Sequence, residues 1–291
     1  MSEIEKLEDL SDPCEIISSI LCKASIDEAY VFKPGNASRD QDIESVRFKD
    51  IIESALLLKT TYYTSCKRGI NNSRPIFDLL YNTVIISLRI GIRFSLFGTS
   101  ILLLPIAYLS ANASSIWNLL ELLKKNFNSL DEVEGEWFIK TLRLLNPSYL
   151  GKLEGKMDYR NMSKVKLSEI LEYSARVDSV SRNVVLGYPF SLKVYKILKE
   201  GRCGSFESDV QRAYISLLKE IPDGLIYRKH GARAAINVAK YARNISECPS
   251  EAELKEFNKY LLSNKFNPGS TADLVASGIA LFYLERYFYL K

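Results

Sequence analysis

The chain has 291 residues, of which 47% are hydrophobic and 25% charged, with a net charge of +4. That composition excludes a disordered or collagen-like chain and supplies ample material for a core. The basic excess is too mild for a dedicated nucleic-acid binder, and no zinc-finger, RRM or KH spacing appears, so no nucleic-acid partner is expected.

Five cysteines stand at 14, 22, 66, 203 and 248. The number is odd and no C-x-x-C or Cys/His cluster exists, which reads as reduced thiols in a cytoplasmic protein. The opening Ser2-Glu3-Ile4-Glu5-Lys6 is polar and is no secretory signal.

A polar loop at 35–47 precedes the first clear helical period, carried by Ile51, Ile52, Ala55 and Leu56. The pattern continues over 76–97, and 99–110 reads as a short apolar helix. Residues 94–120 carry no charge, so a membrane span has to be weighed. Gly98, Pro105, Asn112 and several serines interrupt the run. It therefore reads as two buried helices meeting near 98–100, with no membrane partner. Amphipathic helices follow at 115–126 and 131–145, the second stopped by Asn146-Pro147. Residues 151–166 turn to Gly, Lys, Asn and Met and read as a loop inside one domain. Helical patterns resume at 167–176 and 178–185, break at Gly187-Tyr188-Pro189, and return at 191–200, 205–221, 231–245, 250–264 and 270–289. No period-2 run flanked by hairpin turns appears. The prediction is an all-α single domain, 1–291, of about a dozen helices.

Three stretches could carry chemistry. In Asn267-Pro268-Gly269-Ser270-Thr271-Ala272-Asp273, a tight turn feeds an apolar helix. Ser270 stands at the expected N-cap with Asp273 three residues on. Free N–H groups at a helix start suit an anion, although an ordinary S-x-x-D capping box explains the same letters. In Lys33-Pro34-Gly35-Asn36-Ala37-Ser38-Arg39, followed by Asp40, Asp42 and Glu44, cations and carboxylates could serve a phosphate and its Mg²⁺. A solvated loop favouring the next helix dipole is the plainer account. Arg228-Lys229-His230-Gly231 holds the sole histidine. Its basic side chains before a helix suit phosphate, or are a plain basic loop. Asp178 and Arg182, four apart, would face one another on a helix as an ion pair. No Walker, Rossmann, nucleophile-elbow or zinc-protease signature occurs.

Together these stretches resemble the triphosphoribosyl-dephospho-CoA synthase family, especially its archaeal branch. K-P-G-N-A-S-R at 33–39, D-Q-D-I-E and F-K-D-I-I-E-S-A after it, I-P-D-G-L-I-Y-R-K-H-G at 221–231 and N-P-G-S-T-A-D at 267–273 follow the family's order from about residue 25 to 285. Asp178 with Gly187-Tyr188-Pro189 falls where a comparable segment is expected. The chain departs from that pattern at Leu96-Phe97-Gly98-Thr99-Ser100, where relatives carry a more polar element, and at Gln41, where His is common. The resemblance implies an all-α enzyme, an ATP-dependent triphosphoribosyl transferase. In it the 2′-hydroxyl of dephospho-CoA, or of a related nucleotide-like acceptor, attacks C1′ of ATP's ribose and adenine leaves. ATP and Mg²⁺ are the implied substrate and cofactor, and an oligomer is compatible with the sequence. Asp42, Asp273 and His230 are then candidate catalytic groups. Lys33, Asn36, Ser38, Arg39, Lys229, Asn267, Gly269, Ser270 and Thr271 are candidate ATP or phosphate ligands. Asp42 and Asp178 are candidate metal ligands. The alternative is a divergent helical nucleotide-binding or scaffold protein that keeps the fold without the reaction.

Overall fold

The computed structural model describes residues 12–44, 46–147 and 158–290. Among them the chain forms thirteen α-helices. These are α1 (Pro13–Tyr30), α2 (Phe48–Ile70), α3 (Phe77–Arg89), α4 (Phe97–Ser110), α5 (Ile116–Asn126), α6 (Glu132–Leu145) and α7 (Leu167–Ser174). Then come α8 (Ser179–Val185), α9 (Pro189–Glu200), α10 (Phe206–Glu220), α11 (Gly224–Ala242), α12 (Glu251–Ser263) and α13 (Gly269–Leu290). The only strand-like pairings among these residues are two isolated bridges, Ser38 with Gln41 and Ile43 with Val46.

Local chemistry sets most helix starts. Asp12, Ser115, Asp131, Asp178, Ser205, Asp223 and Ser250 each accept a backbone N–H from the first turn of the helix that follows. At α12 the cap is a full box, with Glu253 returning to the Ser250 N–H.

Two helices lie at the centre. In α4 the run Ile101-Leu102-Leu103-Leu104 and the pair Ile106-Ala107 are all buried. It packs on α2, α13, α1 and α5. A side chain at Gly69 would meet the Tyr108 carbonyl oxygen at 1.6 Å, so α2 and α4 cross backbone to backbone. The other central helix, α13, packs on α9, α1, α4, α8 and α10. Ser191 and Ser277 share a buried hydrogen bond of 2.9 Å at its crossing with α9. A helix apolar on every face has to be surrounded, and these two are surrounded by protein. Among the described residues no helix is long and apolar enough to cross a membrane.

The all-α prediction holds, with four local corrections. The helix expected over 76–97 ends at Arg89. Gly91, at φ +75°, lets the Ile92 N–H reach back to the Ser87 carbonyl at 2.8 Å and close the helix. Residues 98–100 are therefore the first turn of α4 and not a joint between two helices. The helix expected from Gly231 starts seven residues earlier, at Gly224, and Gly231 is a kink within it (φ 85°, ψ 169°). Helix α1 has no counterpart among the predicted elements. Its buried face includes Ser18, Ser25, Cys14, Cys22 and Ala24, which blurs the apolar period. Within the loop expected at 151–166, residues 158–166 are non-helical and 151–157 lie outside the described residues.

The cysteines are the fourth correction. Cys14 is bonded to Cys66 and Cys203 to Cys248, each pair with Cα atoms 5.5 Å apart, and only the buried Cys22 is free. Separations of 52 and 45 residues hide pairs that helix packing brings together.

Candidate active site

A cleft of about 920 Å³ opens where the segments preceding α4, α8 and α13 converge with the start of α11 and the loop after α1. Its lining includes Asn36, Arg93, Thr99, Asp178, Arg228, Lys229, Asn267, Ser270 and Asp273. That volume is near the top of the range of about 300–1,000 Å³ for small-molecule sites.

The first and last turns of the sequence meet here. The Asn36 side-chain amide donates to Asn267 Oδ1 at 2.8 Å, across 231 residues. The Gly35 N–H donates to Asn258 Oδ1 at 2.8 Å, and Gln41 exchanges hydrogen bonds with the same Asn258. Gly35 needs its φ of +76°, and a Cβ there would lie 2.9 Å from Pro268 and from Leu261. The Tyr214 hydroxyl holds the Pro34 carbonyl at 2.6 Å from below.

The start of α13 is held by a buried carboxylate. Asp223 caps α11 with Oδ1, while Oδ2 accepts both the backbone N–H and the hydroxyl of Thr271 at 2.8 Å. Burial lifts the Asp223 carboxyl to about 6 against these hydrogen bonds. Asp273, two residues on, accepts the Thr99 hydroxyl at 2.6 Å. Gly98 gives it room: a Cβ at that position would lie 2.0 Å from Asp273 Oδ2. Burial raises the Asp273 carboxyl well above the ordinary range, and the negative charges of Glu28, Asp178 and Asp223 raise it further.

Residues 14–291 match the family described as ATP:dephospho-CoA triphosphoribosyl transferase, CitG. The chain belongs to this family. The fold is also that of a solved structure entitled "Crystal structure of putative triphosphoribosyl-dephospho-coA synthase from Archaeoglobus fulgidus". The likeness has a TM-score of 0.64 at 24% identity and covers 80% of this chain and 98% of that one. No curated protein matches. Family membership makes the chain a transferase.

Against that family background, the predicted site residues divide. Asn36, Asp178, Lys229, Asn267, Gly269, Ser270 and Asp273 all line the cleft. Ser270 is inside the first turn of α13 and not its cap, because the helix begins at Gly269. Thr271 is turned to Asp223, which occupies both of its donors. Asp273 accepts from Thr99 and shares the lining with Lys229, whereas His230 stands outside it. Asp178 caps α8 through Ser181 and lies 3.4 Å from Arg228. Its expected partner Arg182 instead binds the Ala175 and Arg176 carbonyls.

The remaining predicted residues stand elsewhere. Lys33 is fully buried, bound to the Glu28 and Val31 carbonyls and 3.0 Å from Glu28 Oε1, so it cannot reach a phosphate in the cleft. Arg39 is exposed, lies 4.3 Å over the Tyr30 ring and pairs with Asp40. Ser38 is buried outside the lining and pairs its backbone with Gln41. Asp42 is exposed and accepts the Phe48 N–H at 2.7 Å, serving the start of α2. His230 is exposed, with its ring edge-on to Phe266 at 4.9 Å.

Sequence reasoning missed Glu28, Arg93, Thr99, Tyr173, Arg176, Tyr227 and Arg228 as cleft residues. Arg228 was within a flagged basic run and could have been chosen. Glu28, Thr99 and Arg93 sit in stretches with no motif of their own.

Proposed function

We propose that the cleft binds Mg-ATP beside dephospho-CoA, or a related nucleotide-like acceptor, and transfers the triphosphoribosyl group to the acceptor with release of adenine. One observation carries this reading. In a member of this family, cations and buried carboxylates drawn from distant segments share a single large cleft.

The cations suit a triphosphate. Arg93, Arg176, Arg228 and Lys229 all reach the lining. Burial and the nearby Arg93 charge push Lys229 below the usual lysine range. A bound polyanion relieves that crowding. Tyr173 and Tyr227, each more than a third exposed at the lining, offer ring faces to a base. The apolar wall of Phe97, Phe138, Leu142 and Met162 excludes water from the far side.

Among the described residues no three metal-binding side chains cluster. The donor set therefore fits a cation shared with phosphate oxygens, which needs only one or two carboxylates. Asp178 is the side chain suited to it, because its contacts with Ser181 and Arg228 all fall on Oδ2. When bound there, Mg²⁺ would offset the charge of the triphosphate.

The experiment is an incubation with Mg-ATP and dephospho-CoA, read by liquid chromatography and mass spectrometry. Free adenine and an acceptor heavier by one triphosphoribosyl group are expected. ADP or AMP in place of adenine would refute ribosyl transfer. Chelation of Mg²⁺ is expected to stop the reaction.

A further inference from the structure

We infer that Glu28 and Asp273 divide the proton chemistry of this cleft, Glu28 receiving the proton of the acceptor hydroxyl and Asp273 delivering one to the departing adenine. The inference rests on the transfer reading above and assigns the two groups within it.

Both carboxyls line the same cleft, but their surroundings differ in one decisive respect. Glu28 is 6% exposed and has a cation of its own, the fully buried Lys33, 3.0 Å from Oε1. Lys33 is tied by the Glu28 and Val31 carbonyls, so it cannot swing away. Among the described residues no donor apart from Lys33 reaches Glu28 Oε1, and the residue lines the cleft. Among the described residues Asp273 has no such buried ion pair. It is held by a neutral hydroxyl, Thr99, at 2.6 Å. Among the charges acting on it are the carboxylates Glu28 of α1, Asp178 before α8 and Asp223 before α11.

When two acids share a site, the proton settles on the one whose ionised form is less favoured. Glu28 beside Lys33 carries the charge, and Asp273 among carboxylates keeps the proton. Burial raises both carboxyls and lowers Lys33; the Lys33 charge offsets part of the rise at Glu28, whereas the carboxylates near Asp273 add to its rise. A base that is ionised and an acid that is protonated at the same pH are what the reaction requires.

The balance is closed. The bond from C1′ to adenine N9 breaks and its electron pair leaves with adenine, which takes a proton from Asp273. The acceptor oxygen bonds C1′ and gives its proton to Glu28. Return of one proton from Glu28 to Asp273, directly or through solvent, restores the starting state.

The test reads adenine release against pH with saturating Mg-ATP and dephospho-CoA. Wild type is expected to give a bell: Glu28 must be ionised, so the rate rises with pH, and Asp273 must be protonated, so the rate then falls. Asp273→Asn is expected to lose 10²-fold or more and the alkaline limb, while thermal shift still reports Mg-ATP binding. Glu28→Gln is expected to lose the acidic limb. Thr99→Val keeps the acid and removes only its hydrogen bond, which favours the ionised form. It is expected to fold and to move the alkaline limb to higher pH. An alkaline limb unmoved in Thr99→Val, or Asp273→Asn within threefold of wild type, overturns the assignment and leaves the transferase reading standing. Wild type that releases no adenine overturns both.

Discussion

Gly98→Ala tests the site with a single methyl group. The added Cβ would lie 2.0 Å from Asp273 Oδ2, 2.6 Å from Cγ and 3.1 Å from Oδ1. Non-bonded contacts of a Cβ below 3.0 Å are essentially never seen, so Oδ2 must retreat by about 1 Å. If the carboxyl moves straight back, its 2.6 Å bond from Thr99 lengthens to about 3.6 Å and is lost. Displacing a reacting group by 1 Å costs about 10²-fold in rate. The stability cost is smaller. Overpacking takes roughly 1–3 kcal/mol, and the better helix propensity of alanine returns up to about 1 kcal/mol. Gly98→Ala is thus expected to lose at least 10²-fold in adenine release while melting only a few degrees below wild type. Turnover within threefold of wild type would refute the placement of Asp273 against Gly98.

Three further outcomes follow from the fold. Folding raises the Asp223 carboxyl from 3.8 to about 6, so the native state favours its protonated form. Its contribution is full below pH 4 and declines as pH rises through 6. The stability of wild type relative to Asp223→Asn, from urea melts, is expected to fall by up to about 3 kcal/mol between those limits, and a constant difference would contradict the buried carboxyl. The Cys203–Cys248 bond closes 45 residues. Cys203→Ser is expected to cost about 2–4 kcal/mol in guanidinium unfolding without reductant, and an unchanged midpoint would argue that the bond does not form. Asp42→Asn is expected to cost about 1 kcal/mol or less through the start of α2 and to leave adenine release within threefold, since Asp42 is exposed and serves the Phe48 N–H. A loss near 10²-fold would return Asp42 to the mechanism.

What could be read from the letters was what local chemistry controls. Lys33-Pro34-Gly35 and Asn267-Pro268-Gly269 announce turns, and their shared placement at one cleft was foreseeable once both were read as anion-suited. The helices opening at Ser205 and Ser250 were equally plain, because those serines cap them. What could not be read was which polar groups would go inside. Lys33 looks like any loop lysine, and only the fold surrounds it with carbonyls. Asp273 and Ser270 spell a capping box, yet the donor that claims Asp273 is 174 residues away, at the head of an apolar helix. Gly98 and Thr99 resemble interruptions of a hydrophobic run until α13 is laid against them. Cys14 and Cys66 are separated by a whole helix pair and meet only because α1 and α2 pack together.

The contact between Asn36 and Asn267 also bears on how the protein is made. A ribosome produces Gly35 and Asn36 early and their partners Asn258 and Asn267 more than 200 residues later. Helix α1 forms much of its packing with α13, through contacts such as the hydrogen bond from Tyr283 to Asp27, and therefore waits for α13 as well. Such distant closures are slow relative to local helix formation. Until α13 is in place, the chain has one wall of the cleft without the other. A chain cut before α13 therefore lacks Asn267, Ser270 and Asp273 of the cleft lining.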